Sequence, residues 1–220
     1  MGKTIELKAA DGHTFSAYVA SPEKPKGHIV VIQEIFGVNH HMRNISDQFV
    51  KDGYAVVCPA LFDRAERGQE LGYKPEDMAK GRELRGKIPE AQSVLDIEAA
   101  AKYLNASKVG IVGYCFGGTV SWWGATKSKA FAAASGWYGG GIAAQKNDKP
   151  NCPVQLHFGE KDAAIPMTDV DAIKAAQPGV EVYVYEGAQH GFACDERPSF
   201  DAKAAALAHK RTLEFFAKHL

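Results

Sequence analysis

Apolar positions along this chain follow two patterns. Some are short β-branched runs without polar interruption; others recur every three or four residues over longer stretches. The first pattern predicts a fully buried strand at His28–Gln33 and a further strand at Tyr54–Cys58 (stopped by Pro59), with strand-like segments following at 108–113, 131–137, 153–158 and 180–185. The second predicts helices over 40–51 (ending near Gly53), from about Pro75, over Glu90–Leu104, and near 117–127, 168–176 and 199–218. Two further apolar stretches flank Asp11-Gly12, a hairpin signal. Residues 60–75 are rich in glycine and charge and read as a long surface loop, and Thr168 with Asp171 offers a capping box for the helix that follows.

Strands alternating with helices predict an α/β fold: a mostly parallel central sheet with helices on both faces, forming a single domain over residues 1–220. Ligands in such sheets bind beyond the carboxyl ends of the strands, so a functional residue is expected just after a strand. Composition narrows the ligand. Lysine plus arginine equals aspartate plus glutamate at 26 each, which gives no reason to expect a nucleic-acid or anionic-membrane partner. A small molecule is expected instead. The N-terminus lacks an apolar core of signal-peptide length, and runs such as Ile29–Ile32 are too short to span a bilayer. Cys58, Cys115, Cys152 and Cys194 form no CxxC pair, so reduced thiols in the cytoplasm are expected, with no metal.

The segment from Lys108 to Gly118 carries the most chemistry. A buried strand runs into Gly113-Tyr114-Cys115-Phe116-Gly117 and then a helix, the strand–turn–helix pattern of a nucleophile elbow with cysteine at its centre. Glycine two residues before and after leaves room for strand and helix to approach, while the strained turn lifts the central side chain above the sheet. The helix N-terminus adds partial positive charge that favours thiolate, and the Phe116 N–H is placed to donate to an oxyanion. Cys58 and Cys152 have strand-like or pre-proline contexts and are expected only to pack.

A cysteine nucleophile needs a base, and the base needs an orienting acid. Asp162 follows the strand Val154–Phe158, with Glu160 as its competitor, and His190 follows the strand Val180–Tyr185. Nucleophile, acid, base is the chain order expected for this elbow. Among the other histidines, His40, His41, His209 and His219 fall on helices and are expected at the surface, His13 and His28 flank early strands, and His157 lies inside one.

Gly113-Tyr-Cys-Phe-Gly-Gly118, Gln33-Glu34-Ile35-Phe36-Gly37-Val38-Asn39 and His190-Gly191-Phe192 together resemble the dienelactone hydrolase (carboxymethylenebutenolidase) family, over nearly the whole chain. The resemblance implies an α/β-hydrolase fold of roughly eight strands, a monomer without cofactor, and a Cys115–Asp162–His190 triad. It implies that Glu34 contacts the resting cysteine and that the Ile35 N–H is the second oxyanion donor. The implied substrate is dienelactone (4-carboxymethylenebut-2-en-4-olide), opened to maleylacetate. The family's best-known pattern after the histidine is Ser-Phe-Ala-Arg, whereas here it is Gly191-Phe192-Ala193-Cys194. Arg82, Arg85 and Arg197 are the candidates to hold the substrate carboxylate in place of that arginine. Trp137 and Tyr138 match the family's aromatic pair, as pocket lining or as core. Two other readings stay open: a broader carboxylesterase or thioesterase on the same triad, and a thiol redox or metal-binding protein built on His190-x-x-x-Cys194.

Overall fold

The computed structural model describes residues 2–220. Eight strands form one sheet in the order β1-β2-β4-β3-β5-β6-β7-β8. The strands are β1 (Lys3–Lys8), β2 (Thr14–Ala20), β3 (Gly27–Ile32), β4 (Tyr54–Pro59), β5 (Gly110–Tyr114), β6 (Ala133–Trp137), β7 (Val154–Gly159) and β8 (Glu181–Tyr185). The hairpin β1–β2 joins β4 antiparallel, and every other pairing is parallel. The inner strands β4 to β7 are buried along their whole length, including the polar Ser135, Gln155 and His157 that interrupt the apolar runs of β6 and β7. Edge strand β1 instead keeps Lys3, Glu6 and Lys8 in solvent, which discourages pairing with another chain.

Six helices cover the sheet: α1 (His40–Lys51), α2 (Pro75–Gly86), α3 (Glu90–Leu104), α4 (Phe116–Lys127), α5 (Met167–Ala176) and α6 (Ala202–His219). Alternation along β5 shows how both faces are covered. A side chain at Gly110 would meet Phe216 and Leu220 at the end of α6, whereas one at Gly113 would meet Gly117 and Ser121 of α4. Helix α4 is buried on nearly all sides, beside α3, while α1 packs on β4 and α6 on β6 and β7. No helix among the described residues is long and apolar enough to cross a membrane.

Three local expectations give way to tertiary context. The capping box at Thr168 does not form, because Pro166 is the N-cap and the helix opens one residue earlier, at Met167. The 60–75 loop is not wholly superficial: a 3₁₀ turn over Leu61–Arg64 buries Leu61, Phe62 and Asp63. His41 is not a surface residue but is 1% exposed, and His209 is largely covered and bonded to Asp52 at 2.7 Å.

Candidate active site

Six parallel strands present their carboxyl ends side by side, and the sequence-predicted residues converge there. Cys115 sits at the N-cap of α4 with φ 55° and ψ −114°, a conformation costly for a non-glycine residue. Its N–H donates to the Trp137 carbonyl of β6 at 3.0 Å, which pins the turn to the sheet. The flanking glycines are required by space. A methyl group at Gly113 would lie 2.0 Å from the Gly117 carbonyl oxygen, and one at Gly117 would lie 2.4 Å from that of Ile32.

His190 Nε2 lies 3.2 Å from Cys115 Sγ, and His190 Nδ1 lies 2.7 Å from Asp162 Oδ2. The other Asp162 oxygen accepts from the Ala164 and Ile165 N–H groups, so this buried carboxylate is fixed from both sides. Glu160 instead accepts from the Gly187 N–H, holding the loop that carries His190. Burial opposes a charge on His190, but attraction to a Cys115 thiolate and the Asp162 carboxylate outweighs it and raises the imidazole pKa to about 10. Burial pushes the Cys58 thiol up to about 12 and Cys152 up to about 11, leaving both inert at neutral pH.

A cavity of about 320 Å³ opens over Cys115 and His190. Ile35, Phe36, Phe116 and Met78 supply apolar wall, and Arg82, Arg85 and Arg197 all reach it. Arg82 and Arg85 are exposed and have no carboxylate partner among the described residues, while Arg197 has only Glu34, at 3.9 Å. Arg85 also lies over the Phe116 ring and Arg197 over that of Phe36.

Ile35 and Phe116 frame this cavity as expected, Phe116 being the first residue of α4, whose N–H has no intrahelical acceptor. Sequence reasoning missed what holds Ile35. A methyl at Gly81 would lie 2.0 Å from the Ile35 carbonyl oxygen, so this glycine, conspicuous inside a helix, lets α2 lie against that peptide. Gln33 was also missed. Fully buried, it accepts from the Leu61 N–H and donates to the Glu34 carbonyl, setting the turn after β3.

Two expectations need correction. Glu34 is buried after β3, yet neither of its carboxylate oxygens has a hydrogen-bond partner, Cys115 included; the cysteine thiol faces His190 instead. Trp137 and Tyr138 do not line the Cys115 cavity. Trp137 is paired in register with Tyr114 and packs on Tyr114, His157 and Phe192, toward the α1–α6 side. Tyr138, fully buried at φ 40°, sets its ring edge-on to His190 at 5.2 Å and supports the imidazole from behind. The one metal-compatible group among the described residues joins Cys194 to Glu34 and His41, not to His190.

Comparison with known proteins matches residues 15–220 to the profile of the dienelactone hydrolase family. The chain belongs to this family. It is 39% identical over 228 residues to the carboxymethylenebutenolidase of Pseudomonas putida, covering 97% of this chain and 95% of that protein. A provisionally assigned dienelactone hydrolase from Klebsiella pneumoniae superposes with a TM-score of 0.85 at 30% identity, covering all of both chains. A dienelactone hydrolase-like promiscuous phosphotriesterase from metagenomic libraries shares the fold, with a TM-score of 0.76 at 19% identity over 99% of this chain and 98% of that one. As a family member, the protein is a hydrolase of ester or lactone bonds.

Proposed function

We propose that the protein opens a small anionic lactone, with dienelactone as first candidate, through a Cys115–His190–Asp162 triad. The observation that carries this reading is the relay of 3.2 Å and 2.7 Å from thiol to imidazole to carboxylate, set in a cavity reached by three arginines. A thiolate at Cys115, paired with imidazolium at His190, attacks the lactone carbonyl carbon. The developing oxyanion is held by the Phe116 and Ile35 N–H groups. The ring C–O bond breaks, and the departing enolate oxygen takes the His190 proton. Water activated by His190 then cleaves the acyl-thioester, returning thiol and carboxylic acid; for dienelactone the released enol becomes the ketone of maleylacetate. Asp162 keeps the imidazole in the required tautomer.

Arg82, Arg85 and Arg197 are the proposed grip on the substrate carboxylate, replacing the arginine that the family pattern has where this chain has Cys194. Glu34 retains a gating role in modified form: an anionic substrate that draws Arg197 away removes Glu34's one charged neighbour. The reaction draws on no cofactor, and the proposed enzyme is a single-domain cytoplasmic monomer. The absent serine and arginine at 191 and 194 favour a second reading, a carboxylesterase or thioesterase of broader range on the same triad.

Steady-state assays separate the two. Wild type is expected to hydrolyse dienelactone, with Cys115→Ala and His190→Ala each losing about 10⁴-fold or more in kcat. Full activity in Cys115→Ala would overturn the mechanism. Arg82→Ala, Arg85→Ala and Arg197→Ala, tested singly, are expected to raise KM for the anionic lactone and not for p-nitrophenyl acetate. Turnover of the neutral ester alone by wild type would favour the second reading.

A further inference from the structure

Glu34 and His41, seven residues apart, meet the distant Cys194 in a buried cluster of metal-ligating atoms. A Glu34 carboxylate oxygen, a His41 ring nitrogen and Cys194 Sγ all lie within 4.8 Å of one another. All three residues are buried, at 1%, 1% and 0% exposure. Charged and polar groups so deep normally find partners, because an unmet one has lost its water without a bond to replace it. Here both Glu34 oxygens and His41 Nε2 have none. Two of the three clustered residues thus carry unpartnered polar atoms.

The other nitrogen of His41 accounts for the vacant one. His41 Nδ1 lies 3.2 Å from Asp195 Oδ1. A carboxylate at that position selects the tautomer protonated on Nδ1 and leaves the Nε2 lone pair free to point inward. Carboxylate–imidazole pairs of this kind orient metal-bound histidines. Distances agree. Even an equilateral triangle with 4.8 Å edges has corners about 2.8 Å from its centre, so inward shifts of about 0.7 Å or less reach bonding distance for zinc. Arg197 Nη1, 3.9 Å from Glu34 Oε1, is the cation that an ion here must displace, and the cavity it already lines gives it room to move.

We propose that Glu34, His41 and Cys194 bind a borderline-soft divalent cation, Zn²⁺ before Mg²⁺ or Ca²⁺. Thiolate and imidazole select against the hard ions, and one carboxylate completes a three-ligand set with a position left for water. Neither His190 nor Asp162 contributes a ligand; Glu34 and Arg197 are shared with the gate and the carboxylate grip proposed above, but the binding of the ion itself does not rest on that reaction.

The test uses Cys115→Ala protein, so that the Cys115–His190 pair cannot compete for the ion, stripped with EDTA and titrated with Co²⁺. One equivalent is expected to bind with a thiolate-to-cobalt charge-transfer band and tetrahedral d–d absorption, both abolished by one equivalent of Zn²⁺. Adding Cys194→Ser is expected to remove the charge-transfer band, and His41→Gln to weaken binding at least about 100-fold. Asp195→Asn, on a side chain 62% exposed and therefore safe for folding, is expected to weaken it about 10- to 100-fold. No charge-transfer band at stoichiometric cobalt would overturn the site. So would a band surviving Cys194→Ser, or unchanged affinity in Asp195→Asn.

Discussion

At the scale of single residues, charge at His190 couples fold stability to chemistry. Its imidazole titrates near 10 because two anions face it against the opposing effect of burial. A group whose folded pKa lies above its ordinary 6.5 stabilises the native state fully below that value and loses the contribution as pH rises toward 10. In the reaction proposed above, the same proton serves the leaving oxygen. With the lactone's uncatalysed hydrolysis subtracted, kcat/KM is therefore expected to hold through neutral pH and fall on an alkaline limb near 10. Titration of His190 by NMR gives the complementary reading: in Cys115→Ala the midpoint is expected to drop, since Cys115 is the largest of the raising causes, while Asp162 keeps it above that of the double variant Cys115→Ala/Asp162→Asn. An unmoved midpoint would mean that no thiolate faces the ring.

At the scale of elements, local sequence encoded much of the architecture. Cys115, Asp162 and His190 were legible because each follows a strand-like segment, an apolar run before Cys115 and alternating or β-branched and aromatic stretches before the other two, and a parallel sheet carries all such ends to one side. The three-residue cluster of Glu34, His41 and Cys194 was not legible. His41 sits on a helix whose polar pattern reads as surface, and only the fold brings the turn after β3 and the loop after His190 against it. Trp137 misled for a simpler reason. Its register partner Tyr114 points away from α4, so both rings lie on the far side of the sheet from Phe116. Thr168 lost its capping role because Pro166 sets the helix entry first.

Two glycines test whether the elbow is held by space. Gly117→Ala places a methyl 2.4 Å from the Ile32 oxygen and is expected to cost about 1–3 kcal/mol or more, with loss of activity. Gly86→Ala, at the end of α2 with nothing within 4 Å, is expected to be neutral or to stabilise by about 0.5–1 kcal/mol. Urea unfolding of both variants measures the contrast, and equal effects would show that the close approach of α4 to β3 is not what demands glycine.

At the scale of the molecule, one buried cation ties separate layers together. Arg64, at the end of the 3₁₀ turn after β4, is bidentate to the fully buried Asp96 of α3 at 2.7–2.8 Å and reaches Asp11 in the β1–β2 turn at 2.7 Å. Removing one partner of a buried pair leaves the other charge stranded, so Asp96→Asn or Arg64→Ala is expected to cost about 3–5 kcal/mol. Asp11→Asn, at an exposed carboxylate screened by solvent, is expected to cost far less. Denaturant midpoints decide, and equal losses at Asp11 and Asp96 would refute the role given to burial.

The backbone at Gly191 has a consequence for how this protein could change over time. Its φ is 75°, and a methyl there would lie 2.3 Å from Arg197 Nη1. The family's serine at this position and an arginine folded in from 197 are therefore rival solutions. Gly191→Ser would displace the Arg197 guanidinium from its place beside Glu34, leaving Arg82 and Arg85 as the cavity's remaining cations, and Cys194→Arg would set a second guanidinium among Glu34, His41 and Arg197. Positions 191, 194 and 197 are thus coupled: what one of them tolerates depends on what stands at the other two.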